Sequence, residues 1–306
     1  MRTVYLGTSD FAVAVLERLA ASDHRPLLVV TRPDRPRGRG RRLSPPPVAG
    51  AARSLGLELI QPEGVNAEPA RADIAAADPE VVCVCAFGAL IKEPLLSEYE
   101  MLNVHPSLLP RWRGAAPIER AIEAGDGETG VTIMRPTAEL DAGPIYLSRS
   151  EPIRTDDEYG SLAGRLAALG GELLLEALDL MAAGTRLPLK EQPADGVTYA
   201  RKIEPADRLL PPELTVRELE RRVRALHPHV GAYVELPEGG RLRVRRAAVE
   251  TGASAPPGEL AVVDGRLLYG ARDGALELLE VQPAGGRPME AAAYLRGHIA
   301  DVLRDR

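Results

Sequence analysis

The stretch TVYLGTSDFAVAVLERLAAS, residues 3–22, contains the pattern on which the fold depends. An apolar run at 3–7 is followed at once by a helical pattern over 10–22, which Ser9 or Asp10 can cap. Similar apolar runs return downstream as PLLVVT (26–31), VVCVCAF (81–87) and MLNVH (101–105), again separated by helical patterns. Near-continuous apolar strands between helices predict an α/β fold, a Rossmann-like, mostly parallel sheet with helices on both faces.

The pattern changes in the last third of the chain. A long helix predicted near 157–183 ends the alternation, and the polar, proline-rich residues 190–214 predict a linker. An amphipathic helix at 215–226 and short strands between Gly or Pro turns then predict a small OB-like β-barrel. We therefore expect an α/β domain at 1–189, a linker at 190–214 and a barrel domain at 215–306.

The bulk properties narrow the class of protein. A formal net charge of −6 argues against a protein that coats nucleic acid with its whole surface. One segment differs, because RPDRPRGRGRR (32–42) contains six arginines and a single acid, Asp34. Cys83 and Cys85 share one face of an apolar strand and are interpreted as core thiols, which suit a reducing cytosol. With no long apolar segment and no signal-peptide pattern, we expect a cytoplasmic protein without membrane association.

Ligands of open parallel sheets bind beyond the carboxyl ends of the strands. The first strand is not followed by a G-x-G-x-x-G fingerprint, and no Walker pattern occurs, which argues against a dinucleotide-dependent or P-loop enzyme. The residues that we expect at this edge of the sheet are Gly7–Ser9, Thr31 with the arginine-rich segment that follows it, Phe87–Leu90, Asn103–His105 and the loop after residue 136 that contains Asp141.

Asn103 and His105 are two residues apart on a predicted strand, so their side chains project to one side. An amide can donate to a developing oxyanion while an imidazole moves a proton, a combination that suits acyl-group chemistry. Asp141 is a candidate to orient the imidazole. No serine or cysteine stands in a nucleophile-elbow context, which favours direct transfer to an amine. From spacing alone, His105 can equally be a structural hydrogen-bonding residue and Asp141 a turn residue.

The segments LNVHPSLLPRWRGAAPIERAI (102–122) and GDGETGVTIMRPTAELDAGPIY (125–146) resemble the active-site region of the 10-formyltetrahydrofolate-dependent formyltransferases. The resemblance implies that Asn103, His105 and Asp141 are catalytic, with 10-formyltetrahydrofolate as co-substrate and no metal. It also implies that the folate pocket is lined by Ser107, Leu108, Leu109 and Pro110. To these we add Phe87, Gly88 and Leu90 from the neighbouring strand end.

Within this family, the chain is most similar to the members that act on methionyl-initiator-tRNA. DRPRGRGRRLSPPPV (34–48) resembles the basic insertion that engages the tRNA acceptor stem, and TYARKI and EVQPAGGRPMEAAAYLRG resemble parts of the carboxy-terminal OB-type domain. The resemblance implies tRNA contacts from Arg39 above all, then from Arg41 and Arg42, with Arg37 beside them. We expect a monomer that formylates the α-amine of methionine on the tRNA, for translation initiation.

Two alternatives remain at this point. A folate-dependent formyltransferase for a small amine, such as an amino sugar or glycinamide ribonucleotide, shares the Asn, His and Asp set but needs neither the arginine segment nor the barrel. An inactive tRNA-binding module needs none of the three. In the barrel, the candidate RNA contacts are Arg241, Arg243, Arg245 and Arg246; the first three share one strand face and form either a basic stripe for RNA or an ordinary solvated face.

Overall fold

The computed structural model describes residues 1–37, 42–237, 239–250 and 252–303. This part of the chain divides into two compact units that are interleaved along the sequence. The first unit consists of Met1–Pro117, Glu128–Pro152 and Ala163–Ala200, and the second of Ile118–Gly127, Ile153–Leu162 and Arg201–Arg306.

The first unit contains strands and helices in alternation. Its strands are β1 (Thr3–Gly7), β2 (Pro26–Val30), β3 (Arg35–Arg37), β4 (Arg42–Ser44), β5 (Leu59–Ile60), β6 (Val81–Cys85), β7 (Glu100–His105), β8 (Arg113–Gly114), β9 (Glu128–Met134), β10 (Ile145–Pro152) and β11 (Tyr199–Ala200). Its helices are α1 (Asp10–Ala20), α2 (Pro47–Ser54), α3 (Glu68–Ala76) and α4 (Leu95–Glu98), while α5 (Pro117–Ala124) and α6 (Tyr159–Ala182) each include residues of both units.

A mixed sheet runs through this unit in the order β10-β9-β7-β6-β1-β2-β5. The pairs from β7 to β5 are parallel, whereas β9 is antiparallel to β7 and β10 is antiparallel to β9. All residues of β1 and β6 are buried, as expected for strands covered on both faces. Burial raises the pKa of both strand thiols, Cys83 and Cys85, to about 12. The predicted α/β sheet is confirmed.

Two short strands on either side of residues 38–41 of the arginine-rich segment pair with each other in antiparallel fashion, which was not predicted from the sequence. β3 pairs with β4, with Arg37 opposite Arg42. The segment follows β2, and β2 runs parallel to the central strands. It therefore leaves the sheet at the same edge as the carboxyl end of β7, where His105 lies.

The second unit is built on an antiparallel sheet. Its elements are a 3₁₀ turn (Pro205–Arg208), α7 (Val216–Leu226), β12 (Ala232–Glu235), β13 (Arg241–Glu250), β14 (Leu260–Val263), β15 (Arg266–Ala271), β16 (Gly274–Gln282), β17 (Met289–Glu290) and α8 (Ala291–Leu303). The strand order is β12-β13-β16-β15-β14, and β17 pairs with β16. A capping box at Thr215 and Glu218 starts α7, whose apolar face packs on the sheet through Leu219, Val223 and Leu226.

A charged network attaches α5 to the rest of the second unit. Arg120 contacts Glu123 at 2.7 Å and Asp207 at 2.8 Å. The other oxygen of Glu123 accepts from Arg222 at 2.7 Å. These side chains are 15–30% exposed, so the pairs are shielded from solvent more than ordinary surface ion pairs are. In the described part of the chain, no helix has the length and apolar character needed to cross a membrane.

Candidate active site

The carboxyl end of β7 places Asn103 and His105 on one face of the sheet. The antiparallel register puts Met134 opposite Asn103 and Thr132 opposite His105. The Asn103 amide donates to the Met134 sulfur at 3.5 Å, a weak contact that orients the amide without using a strong acceptor. The expectation that these two side chains share one face is confirmed.

The imidazole of His105 is buried, with 5% of its side chain exposed. Its Nε2 lies 2.9 Å from the carbonyl oxygen of Trp112. Because a carbonyl can only accept, this contact places the hydrogen on Nε2 and leaves Nδ1 as the nitrogen with a free lone pair. Nδ1 lies 3.7 Å from Oδ2 of Asp141.

Asp141 is held in an uncommon backbone conformation. Its φ is +48°, in the left-handed region that costs a non-glycine residue about 1–3 kcal/mol. Its Oδ2 accepts a hydrogen bond of 2.8 Å from the backbone N–H of Gly114. Asp141 lies at the carboxyl edge of the parallel strands, as expected, although β9 is antiparallel to β7. Asp141 contacts His105 because the loop from residue 135 to 144 folds back towards that edge.

The loop after His105 is fixed by the hydroxyl of Thr132, which is fully buried. This hydroxyl donates to the carbonyl of Ser107 at 2.7 Å and accepts from the N–H of Leu109 at 3.2 Å. The hydroxyl of Ser107 donates to the carbonyl of Arg111 at 2.6 Å, so it closes the loop on itself. The predicted folate residues thus stand in a rigid backbone.

Two side chains of this loop are already engaged in packing. A Cβ at Gly130 of β9 would lie 2.6 Å from the terminal carbon of Leu108, so Leu108 occupies the space that this glycine leaves. Leu109 is 8% exposed, while Pro110 is half-buried. The side chains of Ser107 and Leu108 are therefore engaged within the protein.

The three residues expected from the end of β6 have different environments. Phe87 packs in the apolar core of the first unit, at 4% exposure. The carbonyl of Gly88 accepts a hydrogen bond of 2.7 Å from Arg32, and Leu90 is 59% exposed. The structure thus presents Leu90 to solvent and uses the Phe87 side chain for the core.

Of the arginines expected to contact RNA, Arg39 and Arg41 lie outside the described residues. Arg37 is placed by its backbone in β3, and Arg42 is an exposed residue of β4. In the second unit, the stripe on β13 is partly neutralised, because Arg245 contacts Glu280 at 2.9 Å. Arg241 is exposed and lies over the ring of Tyr233, 4.4 Å from its centroid.

Sequence reasoning missed three residues that support the site. Thr132 has a recognisable signal, since it alternates with apolar residues in TGVTIM and so faces the sheet side opposite Val131 and Ile133. Gln192 and Thr198 have no such signal in the sequence, because they belong to the polar segment that predicts a linker. In the structure, Gln192 donates to the backbone of the Asp141 loop and Thr198 accepts from Trp112.

Known protein families match both parts of the chain. Residues 1–178 match the formyl transferase family, and residues 202–299 match the formyl transferase C-terminal domain. The methionyl-tRNA formyltransferase of Halorhodospira halophila is 45% identical over 302 residues, covering 97% of this chain and 96% of that one. The enzyme of the same name from Methylococcus capsulatus is 45% identical over 301 residues, covering 97% of both.

Solved structures share the fold at lower identity. HypX from Aquifex aeolicus in complex with tetrahydrofolic acid superposes with a TM-score of 0.67 at 20% identity; the match covers 98% of this chain but only 47% of that longer protein. Methionyl-tRNA formyltransferase from Clostridium thermocellum gives a TM-score of 0.57 at 14% identity, covering 82% of this chain and 95% of that one. The resemblance noted in the sequence is confirmed, and the chain belongs to the formyl transferase family.

Proposed function

We propose that this protein transfers the formyl group of 10-formyltetrahydrofolate to the α-amine of methionyl-initiator-tRNA, giving the formylmethionyl-tRNA used in translation initiation. The observation behind the proposal is the juxtaposition of His105 Nδ1 and Asp141 Oδ2 at 3.7 Å, beside Asn103 on the same strand face. Relatives of that name cover nearly the whole chain, both units included, which favours a tRNA substrate over a small amine.

Each side chain has a role that its contacts allow. The α-amine attacks the formyl carbon of the folate co-substrate, the bond from that carbon to the folate nitrogen breaks, and tetrahydrofolate leaves with the proton that the amine gives up. Asn103 donates its amide N–H to the formyl oxygen as negative charge develops there, in exchange for its weak contact with sulfur. His105 takes the proton that the attacking amine loses, at Nδ1, since Nε2 is committed to Trp112. Asp141 stabilises the resulting imidazolium and keeps the ring oriented.

The loop from Ser107 to Pro110 fits a folate ring system through its backbone and apolar surface. Thr132 fixes this backbone on both sides of Leu108, so that little conformational entropy is lost when a ligand binds. We propose that Leu109 and Pro110 provide the apolar contacts and that the backbone at Ser107 and Leu108 provides the polar ones. Leu90, which is exposed at the neighbouring strand end, adds apolar area.

We propose that the arginine-rich segment binds the phosphates of the tRNA acceptor stem through Arg37, Arg39, Arg41 and Arg42. The support is that this segment leaves the sheet at the edge where His105 lies, as a contact to the end of the tRNA requires. Binding of phosphates by arginines releases counterions, so that affinity falls steeply with salt. We assign the catalytic role to the first unit and tRNA binding also to the carboxy-terminal domain, and we infer a monomer in the cytoplasm.

The direct test is an assay of the purified protein with 10-formyltetrahydrofolate and three amines in parallel. These are charged initiator tRNA, a nucleotide-linked amino sugar and glycinamide ribonucleotide, with detection of the formylated product by mass. We expect turnover on the tRNA alone. Turnover on a small amine with none on the tRNA would overturn the substrate assignment and leave the family chemistry intact.

Variants then test the roles. His105→Ala and Asn103→Ala are each expected to lower turnover about 10²–10⁴-fold with an unchanged fold, since each removes a proton carrier or an oxyanion donor. Asp141→Asn keeps the shape and removes the charge, so a normal rate in this variant would reduce Asp141 to a turn residue. Full activity in either alanine variant would contradict the catalytic assignment.

Arg39→Leu separates tRNA binding from folate binding. It is expected to lower activity on charged tRNA and to reduce the dependence of that activity on salt, while 10-formyltetrahydrofolate binds as tightly as before. Arg2→Leu, at an exposed arginine that contacts Asp78 and Glu80, is a matched control for loss of one positive charge. If folate affinity falls together with tRNA activity, the segment is not an RNA contact.

A further inference from the structure

The segment that connects the long helix α6 to the second unit is part of the candidate active site. Residues 190–200 are anchored to the first unit at both ends. Lys190 and Ile145 exchange backbone hydrogen bonds of 2.7 and 2.9 Å, and β11 pairs in parallel with β8. Gln192 lies between these anchors, half-buried.

Gln192 uses its whole amide group to join two loops. Its Nε2 donates to the carbonyl oxygens of Asp141 and Gly143 at 2.8 and 2.7 Å. Its Oε1 accepts from Nε and Nη2 of Arg113 at 3.0 and 2.8 Å. Arg113 is 7% exposed, so this contact is a buried one in which an arginine donates two hydrogen bonds.

Arg113 stands between the two backbone groups that position the catalytic pair. The preceding residue, Trp112, provides the carbonyl that accepts from His105 Nε2, and the following residue, Gly114, provides the N–H that donates to the Asp141 carboxylate. Through Arg113 and the Asp141 loop, Gln192 therefore fixes the supports of both partners.

The same segment stabilises two backbone conformations that are unfavourable on their own. Trp112 and Asp141 both have positive φ, +62° and +48°. Thr198 accepts a hydrogen bond of 2.8 Å from the N–H of Trp112, and Gln192 donates one of 2.8 Å to the carbonyl of Asp141. Such conformations persist only where the surroundings over-determine them, and here residues 192–198 provide that constraint.

We propose that Gln192 is a positioning residue that sets the geometry of the His105–Asp141 pair, an inference that rests on the function proposed above. It touches neither substrate nor reacting atoms in this role. Its effect is exerted through the Asp141 carbonyl on one side and through Arg113 on the other.

A double-mutant cycle tests whether Gln192 acts through Asp141. Gln192→Ala is expected to lower kcat about 10–100-fold, the effect of a displacement of about 1 Å at a reacting group, with KM for both substrates changed less than about threefold. In an Asp141→Asn background the same substitution is expected to lower kcat by a smaller factor than in the wild type, because one of the two partners that it positions is already impaired. Equal losses in both backgrounds would overturn the proposal.

Two further variants control for folding. Gln192→Glu keeps the size and the Arg113 contact but places an oxygen against the carbonyls of Asp141 and Gly143, so it is expected to lower kcat as the alanine variant does. Glu191→Ala alters the neighbouring exposed residue and is expected to retain wild-type kcat. A loss in Glu191→Ala equal to that in Gln192→Ala would show a general effect of the segment and refute the assignment.

A readout without substrate separates this proposal from the function on which it rests. The ¹⁵N shifts of the His105 imidazole report its tautomer, and the bond from Nε2 to Trp112 gives a single Nε2–H form. We expect this signature in the wild type and in Glu191→Ala, and its loss in Gln192→Ala. If the signature survives in Gln192→Ala, the positioning role is refuted, whichever amine the enzyme formylates.

Discussion

Replacement of Thr132 by valine tests whether one buried hydroxyl keeps the loop after His105 in place. Valine has a methyl group where threonine has its hydroxyl, so the shape of the side chain is nearly kept while both hydrogen bonds of the hydroxyl are lost. The carbonyl of Ser107 and the N–H of Leu109 would each be left without a partner, in residues that are fully buried and 8% exposed. An unsatisfied buried group costs about 1–3 kcal/mol, so the two together cost about 2–6 kcal/mol.

The assay combines chemical denaturation with folate binding. The chain contains one tryptophan, Trp112, whose carbonyl contacts His105, so intrinsic fluorescence reports on this region. Thr132→Ser keeps the hydroxyl and removes one methyl group, for which a cost of about 1 kcal/mol is expected. We expect a large loss of stability and weaker folate binding in the valine variant only. Equal stability of the two variants would refute the reasoning that the hydroxyl fixes the loop.

Three further changes have expected outcomes. Leu109→Asp places an unpaired charge at a position that is 8% exposed and should weaken folate binding at least tenfold in titration, whereas Leu189→Asp, at 46% exposure, should not. Gly114 has a φ of +117°, and Gly114→Ala brings a Cβ to 2.7 Å from a carbonyl oxygen of β11, so this variant should have a lower unfolding midpoint. The control Gly50→Ala, in open space within α2, should raise the midpoint slightly. The opposite order would contradict the pairing of β8 with β11. Burial lowers the pKa of His227 below its ordinary value of 6.5. The neutral form therefore stabilises the folded state above pH 6.5, and this contribution is lost as the pH falls from 6.5 through the pKa of the folded state. In denaturant unfolding, the free energy of unfolding of His227→Gln should therefore fall less between pH 7 and pH 5 than that of the wild type. An equal fall in both proteins would exclude the effect.

The elements that could be predicted from the sequence are those specified by local patterns. Continuous apolar runs predicted β1, β6 and β7, and the spacing of Asn103 and His105 predicted their shared face. The order of strands in the sheet required more than local information. The antiparallel direction of β9 is set by its partners, so the path by which the Asp141 loop returns to the edge at His105 did not follow from the parallel-sheet rule.

The supports of the site could not be predicted because their partners are remote in sequence. Gln192 is 51 residues from Asp141, and Thr198 is 86 residues from Trp112. A polar, proline-rich segment predicts a linker unless its hydrogen-bond partners are known. The hairpin of β3 and β4 was missed for a local reason, since Pro36 and the surrounding arginines give a low strand propensity.

The charged network of α5 has a consequence for synthesis on the ribosome. Arg120 is made 87 residues before Asp207, Glu123 is made 99 residues before Arg222, and Glu119 is made 110 residues before His229. At translation rates of about 5–20 residues per second, about 5–20 s pass between the synthesis of this helix and the synthesis of the residues that it contacts. During that interval the nascent chain exposes an amphipathic helix whose final neighbours do not yet exist. The second unit is thus completed last, although part of it is translated before α6.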